Sequence, residues 1–321
     1  MGMHQGSDTA ATTVYRVADD RRAAAVARVT MGGVRPTAGS AARFVADAAR
    51  EGTSLEHIWA AAGDGDRLSE VAMILPQPGR TGMLFVSHPT REDRVARLAA
   101  VVDRACGALD RSEVTLVQGL VELSEHRQRA AMERAGLTPL AALTYMQCKV
   151  RRGTSEPVWA GAGLDVRCES WEPGLGEDFE RALVASYEQT RDCPAMRGLR
   201  EPRDVLAGHR AAGRFEAHLW TLLRVEGDPA GLMLLAPIDA TGEVELVYLG
   251  VGAGWRRRGL SRYLMGRAMH QCAQEGARTM TLAVDEANGP ALDLYQGLGF
   301  RATARRMGLM RVIGGREDDN R

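Results

Sequence analysis

The chain has 321 residues, with 41 basic and 41 acidic side chains, 45% apolar and 26% charged residues. That length allows two domains of common size, and the composition is that of a globular protein. A formal net charge of zero argues against a broad electrostatic footprint for nucleic acid or an anionic membrane, so neither is expected as a partner. The cysteines, Cys106, Cys148, Cys168, Cys193 and Cys272, are odd in number and far apart. Free thiols in a reducing, cytoplasmic setting are expected. The seven histidines show no metal-ligand spacing, and no metal is expected. No apolar run reaches the ~20 residues of a membrane span. Met1 to Thr12 carries no signal-peptide pattern.

In chain order, residues 1–13 read as a tail and Val14–Val17 as a short strand. Helices are expected over 19–31 and 40–51, and 54–61 reads as either a short helix or a strand. Two strands, 70–75 and 82–87, flank a Pro-Gly turn. A helix over 94–109 places Val95, Leu98, Val101, Val102 and Ala105 on one side. A strand at 114–120, a helix at 125–135 ending at Gly136, and a strand at 140–150 complete the first half. Residues 151–163, rich in Gly, Ser and Pro, read as a linker.

The second half repeats this order. A strand at 164–168 and helices at 176–190 and 204–213 precede a hairpin, 219–225 and 230–235, around Glu226-Gly227-Asp228-Pro229. A strand at 244–251, a helix from Ser261 to Glu275, a strand at 279–284, a helix at 290–296 and a strand at 301–312 follow. The chain therefore reads as a tandem repeat of roughly 150 residues. Setting Gly136 against Gly299 places Met132 opposite Tyr295. It also places His88–Leu98, which has no glycine and carries two acids, opposite 251–261. An acid at a helix start competes with an anion, so the first copy is expected to share the fold and lack the site.

The organising stretch is Val251 to Ser261, Val-Gly-Ala-Gly-Trp-Arg-Arg-Arg-Gly-Leu-Ser. Strand, basic glycine-bearing turn and helix start make an anion site, because the first N–H groups of a helix lack internal partners and carry partial positive charge. Gly259 allows close backbone approach, and Arg256, Arg257, Arg258 and Arg262 offer charge-assisted bonds. Downstream stand Asn288, Ala291, Tyr295, Gly299 and Phe300. Arg256-Arg257-Arg258-Gly259-Leu260-Ser261 resembles the phosphate loop of the GNAT superfamily of N-acetyltransferases, Gln/Arg-x-x-Gly-x-Gly/Ala. The five downstream residues fall at the spacing of that family's following segment. The resemblance covers roughly 165–313, with Ser261 and Ala253 as mild departures.

The resemblance implies two tandem GNAT-like α/β domains, each a mixed, mostly antiparallel sheet flanked by helices: 14–150 degenerate, 164–316 catalytic, with a tail at 317–321. It implies acetyl-CoA as co-substrate and acetyl transfer to a primary amine of a small molecule or a peptide. Arg256, Arg257, Arg258, Gly259, Leu260 and Ser261 would then hold pyrophosphate. Leu249, Gly250 and Val251 would pair with the pantetheine arm and offer an oxyanion donor, and Asn288 would meet the pantetheine amides or cap its helix. Tyr295 is implied as general acid. For the base, Glu245 is preferred, with Glu243 or a water chain as alternatives; both acids can also be plain exposed strand charges. An acceptor amine with a pKa of ~8 to ~10 must lose a proton before it attacks. The acceptor loop is implied at 189–199, where Arg191, Asp192 and Arg197 suit a polar or charged acceptor. Cys193 reads as a plain thiol, and His209 and His218 as packing or surface residues. Tandem members of the family include enzymes acting on small aminoglycoside or thiol-bearing metabolites. A non-catalytic acyl-CoA-binding protein is the rival outside the enzyme class.

Overall fold

A computed structural model describes residues 12–31, 33–63, 67–161 and 163–314. The tail expected at 317–321, and all but the last two residues of that at 1–13, lie outside the described residues. Two compact units form. One holds the described chain up to Pro76, Thr81–Pro139 and the residues from Leu309 on; the other holds Gln77–Arg80 and Leu140–Gly308.

The first unit carries strands β1 (Val14–Arg16), β2 (Ile58–Ala62), β3 (Leu68–Gln77), β4 (Thr81–Val86) and β5 (Leu116–Glu122), hydrogen-bonded in that order. β4 and β5 are parallel, from Thr81↔Leu116 to Leu84↔Gly119. Its helices are α1 (Arg22–Val26), α2 (Ala38–Glu51), α3 (Glu92–Gly107) and α4 (His126–Arg134). The ambiguous 54–61 stretch contributes to a strand, and the helix expected over 19–31 is short. Its β-branched end leaves the helix to bridge: Val29 pairs with Ser87, and Thr30 N–H donates to Val86 O at 2.9 Å, as β-branched residues favour.

The second unit carries β6 (Thr138–Lys149), β7 (Val166–Ser170), α5 (Gly176–Tyr187), α6 (Pro202–Arg210), β8 (Trp220–Val225), β9 (Asp228–Ile238), β10 (Glu243–Val251), α7 (Leu260–Gln274), β11 (Thr279–Asp285), α8 (Gly289–Gly297) and β12 (Arg301–Val312). The strand order is β12-β6-β11-β10-β9-β8-β7. The expected spans 14–150 and 164–316 divide the chain by repeat, whereas the compact units trade strand ends. β6, which closes the first repeat, runs antiparallel to β11 from Thr279↔Lys149 to Asp285↔Leu143. The β8–β9 turn is tighter than the sequence suggests. Glu226 and Gly227 both take left-handed φ, 53° and 86°, as a two-residue hairpin turn requires. Pro229 then sits inside β9 beside a register shift, where a strand tolerates proline.

The second unit's sheet is covered on both faces, which explains the near-continuous apolar runs of β8 and β9. One face packs Val244, Leu246, Leu282 and Val284 against Leu260, Leu264, Met265 and Ala268 of α7 and Tyr295 of α8. The other packs Trp220, Leu222, Leu232 and Leu234 against Phe179, Ala182 and Leu183 of α5 and Leu206 of α6. Each fully buried Val, Leu, Met or Phe among them contributes roughly 1.5–3 kcal/mol. α7 crosses between the parallel strands β10 and β11, the standard connection for parallel neighbours.

The feature that positions the site is a break in that parallel pair. β10 and β11 ladder only over Val244↔Met280, Glu245↔Thr281 and Leu246↔Leu282. Beyond Leu246 the β9–β10 register shifts by one residue, a bulge that bends and twists its strand. β10 then continues with β9 through Leu249↔Met233, Gly250↔Leu232 and Val251↔Gly231, while β11 stays with β6. The two strands part, and the β11-facing edge of residues 247–251 has no ladder. α5 closes on β10 at Gly250, where an added Cβ would lie 2.6 Å from Ser186 Oγ and 2.7 Å from Tyr248 Cε1. Gly250→Ala should therefore destabilise the protein by about 1–3 kcal/mol, read as a lower urea midpoint; an unchanged midpoint would show that α5 gives way freely.

Candidate functional site

The turn 252–259 follows directly from its residues. A single 3-10 turn, Ala253–Trp255, precedes Arg256; Arg257 (φ 61°) and Gly259 (φ 87°) then take left-handed backbone, and Gly259 is the N-cap of α7. The cap residue supplies no side-chain acceptor, so the first N–H groups of α7 face outward without a side-chain cap. Arg256 does not point its charge at this opening. Its Nε donates to Val251 O (2.9 Å), Nη2 to Ser186 O (2.8 Å) and Nη1 to Gln189 O (3.3 Å). It is a clamp tying the turn to the ends of β10 and α5. Arg257, Arg258 and Arg262 are the exposed cations of the stretch, and Arg258 lies over the Trp255 ring at 5.1 Å. Leu260 is buried in the core, and Ser261 is half-buried in the first turn of α7.

At the break between β10 and β11 stand the two expected proton carriers. Val244 and Leu246 belong to the α7 face of the sheet, so Glu243 and Glu245 point to the α5 face. The Glu245 carboxylate is sheltered, makes no hydrogen bond or ion pair with the described residues, and sits one residue before the last β10–β11 pair. Desolvation pushes its pKa above the ordinary carboxylate range. Glu243 lies two residues farther from the break.

Tyr295 is on the opposite face, 7% exposed, its ring 5.8 Å from Phe300. Its hydroxyl has no hydrogen-bond partner among the described residues. Burial, followed by the Asp192 carboxylate, raises its pKa well above that of a free phenol. Asn288 is the N-cap of α8, yet its side chain makes no cap bond. The helix start is closed by backbone alone, Ala291 N–H and Leu292 N–H donating to Asn288 O at 3.0 Å each, and the half-buried amide is left unengaged. Tyr295 and Glu245 thus lie on opposite faces of the sheet that the β10–β11 break interrupts, and the edge of Leu249, Gly250 and Val251 is left without a ladder.

Two features had no clear signal in the sequence. Asp285, which ends β11 at 4% exposure, brackets the 189–199 loop. Its Oδ2 accepts from Cys193 N–H (3.0 Å), its Oδ1 from Ala287 N–H (2.9 Å), and its own N–H donates to Asp192 Oδ1 (3.4 Å). Ligand atoms of Asp192, Cys193 and Asp285 lie within 4.8 Å of one another, but the backbone donors already engage both Asp285 oxygens. Desolvation raises Asp192, opposed by the Asp285 amide. Desolvation first, then the two aspartates, push the Cys193 thiol up to about 12, so it stays protonated at neutral pH. The usable signal was position: an acid at the carboxyl end of a sheet strand is where ligands of open α/β sheets bind.

The second feature is a polar chain under the loop. Ser186 Oγ–H donates to Leu183 O (2.6 Å), so the 2.7 Å contact with Tyr248 has the phenol donating. His209 stacks on Tyr248 at 5.3 Å with its Nε2 buried and unpartnered, and burial lowers its pKa to about 4. His209 is a neutral packing residue. His218 is exposed and meets Glu275 at 2.8 Å.

The first unit fills the equivalent places. α3 begins with Glu92 and Asp93. Gln128 on α4, 2% exposed, donates to Val86 O and Ser87 O at the end of β4 (3.4 and 3.2 Å). Met132, set opposite Tyr295 in the repeat, packs its thioether methyl 3.0 Å from where a Cβ on Gly119 would stand.

Residues 182–300 match the Acetyltransferase (GNAT) family. A mycothiol acetyltransferase of Kocuria rhizophila is 29% identical over 262 residues, covering 75% of this chain and 80% of that protein. One from Thermobifida fusca is 40% identical over 95 residues, which span 30% of this chain and 27% of that protein's length. Among solved structures, a GCN5-related N-acetyltransferase from Sphaerobacter thermophilus shares the fold at TM-score 0.60 and 21% identity, covering 94% of this chain and 95% of that one. A tandem GNAT protein from the clavulanic acid biosynthesis pathway does so at TM-score 0.52 and 15% identity, covering 95% and 99%. No helix of the described residues is long and apolar enough to cross a membrane.

A carboxylate whose folded pKa is raised loses stability as pH climbs from its unfolded to its folded value. Glu245→Gln removes that loss. The variant should therefore gain thermal stability over wild type at pH 7 and gain less at pH 4; an equal difference at both pH values would place Glu245 in a water-like environment.

Proposed function

We propose, from the premise that this chain is an acyltransferase of the GNAT family, that its second unit moves an acetyl group from acetyl-CoA to a primary amine by direct attack in a ternary complex. The observation that carries this reading is the pairing at the β10–β11 break. A sheltered, unpaired carboxylate stands on one face, a buried, unpaired phenol on the other, and an unladdered strand edge between them.

The residues fit the donor substrate in order. The outward N–H groups at the start of α7, around Gly259, Leu260 and Ser261, suit pyrophosphate, with Arg257, Arg258 and Arg262 adding charge. Arg256 contributes by holding the turn's shape. The open edge of Leu249–Val251 suits the extended pantetheine amides, and the unengaged Asn288 amide suits the same arm. An N–H of that edge donates to the thioester oxygen as charge builds there.

Glu245 accepts the proton that an ammonium must lose, directly or through water, and its raised pKa brings it toward the amine's range. The freed nitrogen lone pair forms the C–N bond and the C–S bond breaks. Tyr295, neutral at physiological pH, donates to the departing sulfur and is reprotonated through water by the second proton, which the nitrogen sheds as it becomes an amide; the first proton passes from Glu245 to solvent. Cys193 holds its proton and lacks the thiolate character of a nucleophile, which supports direct attack.

Asp192 and Asp285 at the 189–199 loop favour an acceptor that arrives as a cation. The relatives named mycothiol acetyltransferases point the acceptor class toward a small amino-sugar thiol. The first unit, with Gln128 and Met132 in the places of the strand edge and the phenol, serves as support without a cofactor. Five free cysteines suit a reducing, cytoplasmic setting.

The test is CoA release from acetyl-CoA across a panel of amines, small amino-sugar thiols included. Tyr295→Phe should lower turnover about 10²–10⁴-fold with CoA affinity kept. Unchanged turnover would remove Tyr295 from the chemistry, and CoA binding without release for any amine would favour a regulatory acyl-CoA binder.

A further inference from the structure

The segment between the repeats, flexible by composition, is docked lengthwise on α7. His270 Nδ1–H donates to Thr154 O at 2.7 Å. Glu156 pairs with Arg267. Pro157 lies over Gly266, its ring carbons 3.3 Å from where a Cβ would stand. Trp159 meets Tyr263 edge to face with centroids 5.6 Å apart, and its ring stands 4.0 Å from where a Cβ on Gly259 would be. Positions 259, 263, 266, 267 and 270 form one stripe of the helix, turned away from the stripe that Leu260, Leu264 and Ala268 bury in the core. The strap runs antiparallel to α7, so its last anchor, Trp159, arrives at the phosphate turn.

The glycines around the strap are there for it. Gly266 sits mid-helix, where glycine costs about 1 kcal/mol against alanine, and its missing Cβ seats Pro157. Gly161 has no left-handed φ to require it, yet any Cβ there would overlap the Trp159 indole. The indole Nε1 is buried without an acceptor, so Trp159 is held through its ring surface.

We propose that residues 154–159 are part of the donor-substrate site, with Trp159 as a positioning residue that holds the turn 256–261 in its anion-receptive shape by packing on Gly259 and Tyr263. This rests on the reading of that turn as the pyrophosphate site. Preorganised backbone donors bind tighter because less ordering remains to be done on association.

The experiment titrates CoA calorimetrically into the full chain and its Trp159→Ala, Trp159→Phe and Gly161→Ala variants, with thermal midpoints recorded alongside. Trp159→Ala should weaken CoA about tenfold, Trp159→Phe should stay within about threefold because a ring remains, and Gly161→Ala should match Trp159→Ala because the new Cβ displaces the indole. Turnover adds a second readout: KM for acetyl-CoA should rise with kcat kept, while turnover of S-acetyl-pantetheine, which lacks the nucleotide and pyrophosphate, stays at the wild-type level. Wild-type CoA affinity in Trp159→Ala and Gly161→Ala would overturn the strap's role, as would equal losses with both donors. A wild type that binds no CoA would overturn the pyrophosphate reading itself and the strap proposal with it. Should Trp159→Ala fail to fold, Gly161→Ala decides alone.

Discussion

The account depends on one backbone event, the loss of pairing between β10 and β11 after Leu246↔Leu282. A parallel pair laddered to its end would bury the N–H and C=O groups of residues 247–251 in hydrogen bonds and leave no opening through the sheet. The bulge at Val247 turns β10 toward β9 while β11 keeps its register with β6. Two backbone segments diverge with polar groups exposed in a largely apolar surrounding. An extended, amide-bearing ligand satisfies such groups without competing with a neighbouring strand. The bulge also resets the side-chain alternation, leaving Glu245 on the α5 face and returning Leu249 and Val251 to the α7 face.

Around that opening the protein invests in order. Arg256 gives up its role as a free cation to fasten three carbonyls, one each from β10, α5 and the loop after α5, which fixes the turn. Asp285 takes the N–H groups of Cys193 and Ala287, the first of which ties down the 189–199 loop. Tyr248, Ser186 and the Leu183 carbonyl form a hydrogen-bonded chain that seats α5 on β10. Glu245, the Tyr295 hydroxyl and the Asn288 amide are left without partners, as are His209 Nε2 and Trp159 Nε1 elsewhere in the unit. Unpaired polar groups in sheltered positions cost stability, and a sheltered carboxylate and phenol left unpaired on the two faces of one sheet point to a ligand rather than to stability.

Much of this was legible in the sequence because it rests on local pattern. Alternation and breakers placed β10, β11, α8 and β12 to within about two residues, and the glycine-bearing turn announced the helix N-terminus. What the sequence could not carry is tertiary engagement. Three consecutive arginines look alike on paper; only the fold decides that Arg256 reaches Val251, Ser186 and Gln189 while its neighbours stay in solvent. Asp285 reads as a strand-end charge until the 189–199 loop folds back onto it. Residues 151–163 have the composition of a flexible linker, and the docking against α7 depends on Gly161, Gly259 and Gly266, whose purpose appears only with Trp159 in place. That β6, which closes the first repeat, belongs mostly to the second unit is likewise invisible to periodicity, since a strand reads the same whichever unit it joins.

The repeat itself shows what a site needs by showing what fills it. In the first unit Gln128 bonds the carbonyls at the end of β4, Met132 packs where a phenol would stand, and Glu92 and Asp93 occupy the helix start. The central claim is that one opening, in the second unit, takes the acetyl donor. The most direct measurement is calorimetric titration of acetyl-CoA into the full chain and into Gly259→Glu, which adds a negative charge at a left-handed backbone position. The account predicts one site per chain in the wild type and none in the variant. Two sites in the wild type, or a site that survives in Gly259→Glu, would contradict it.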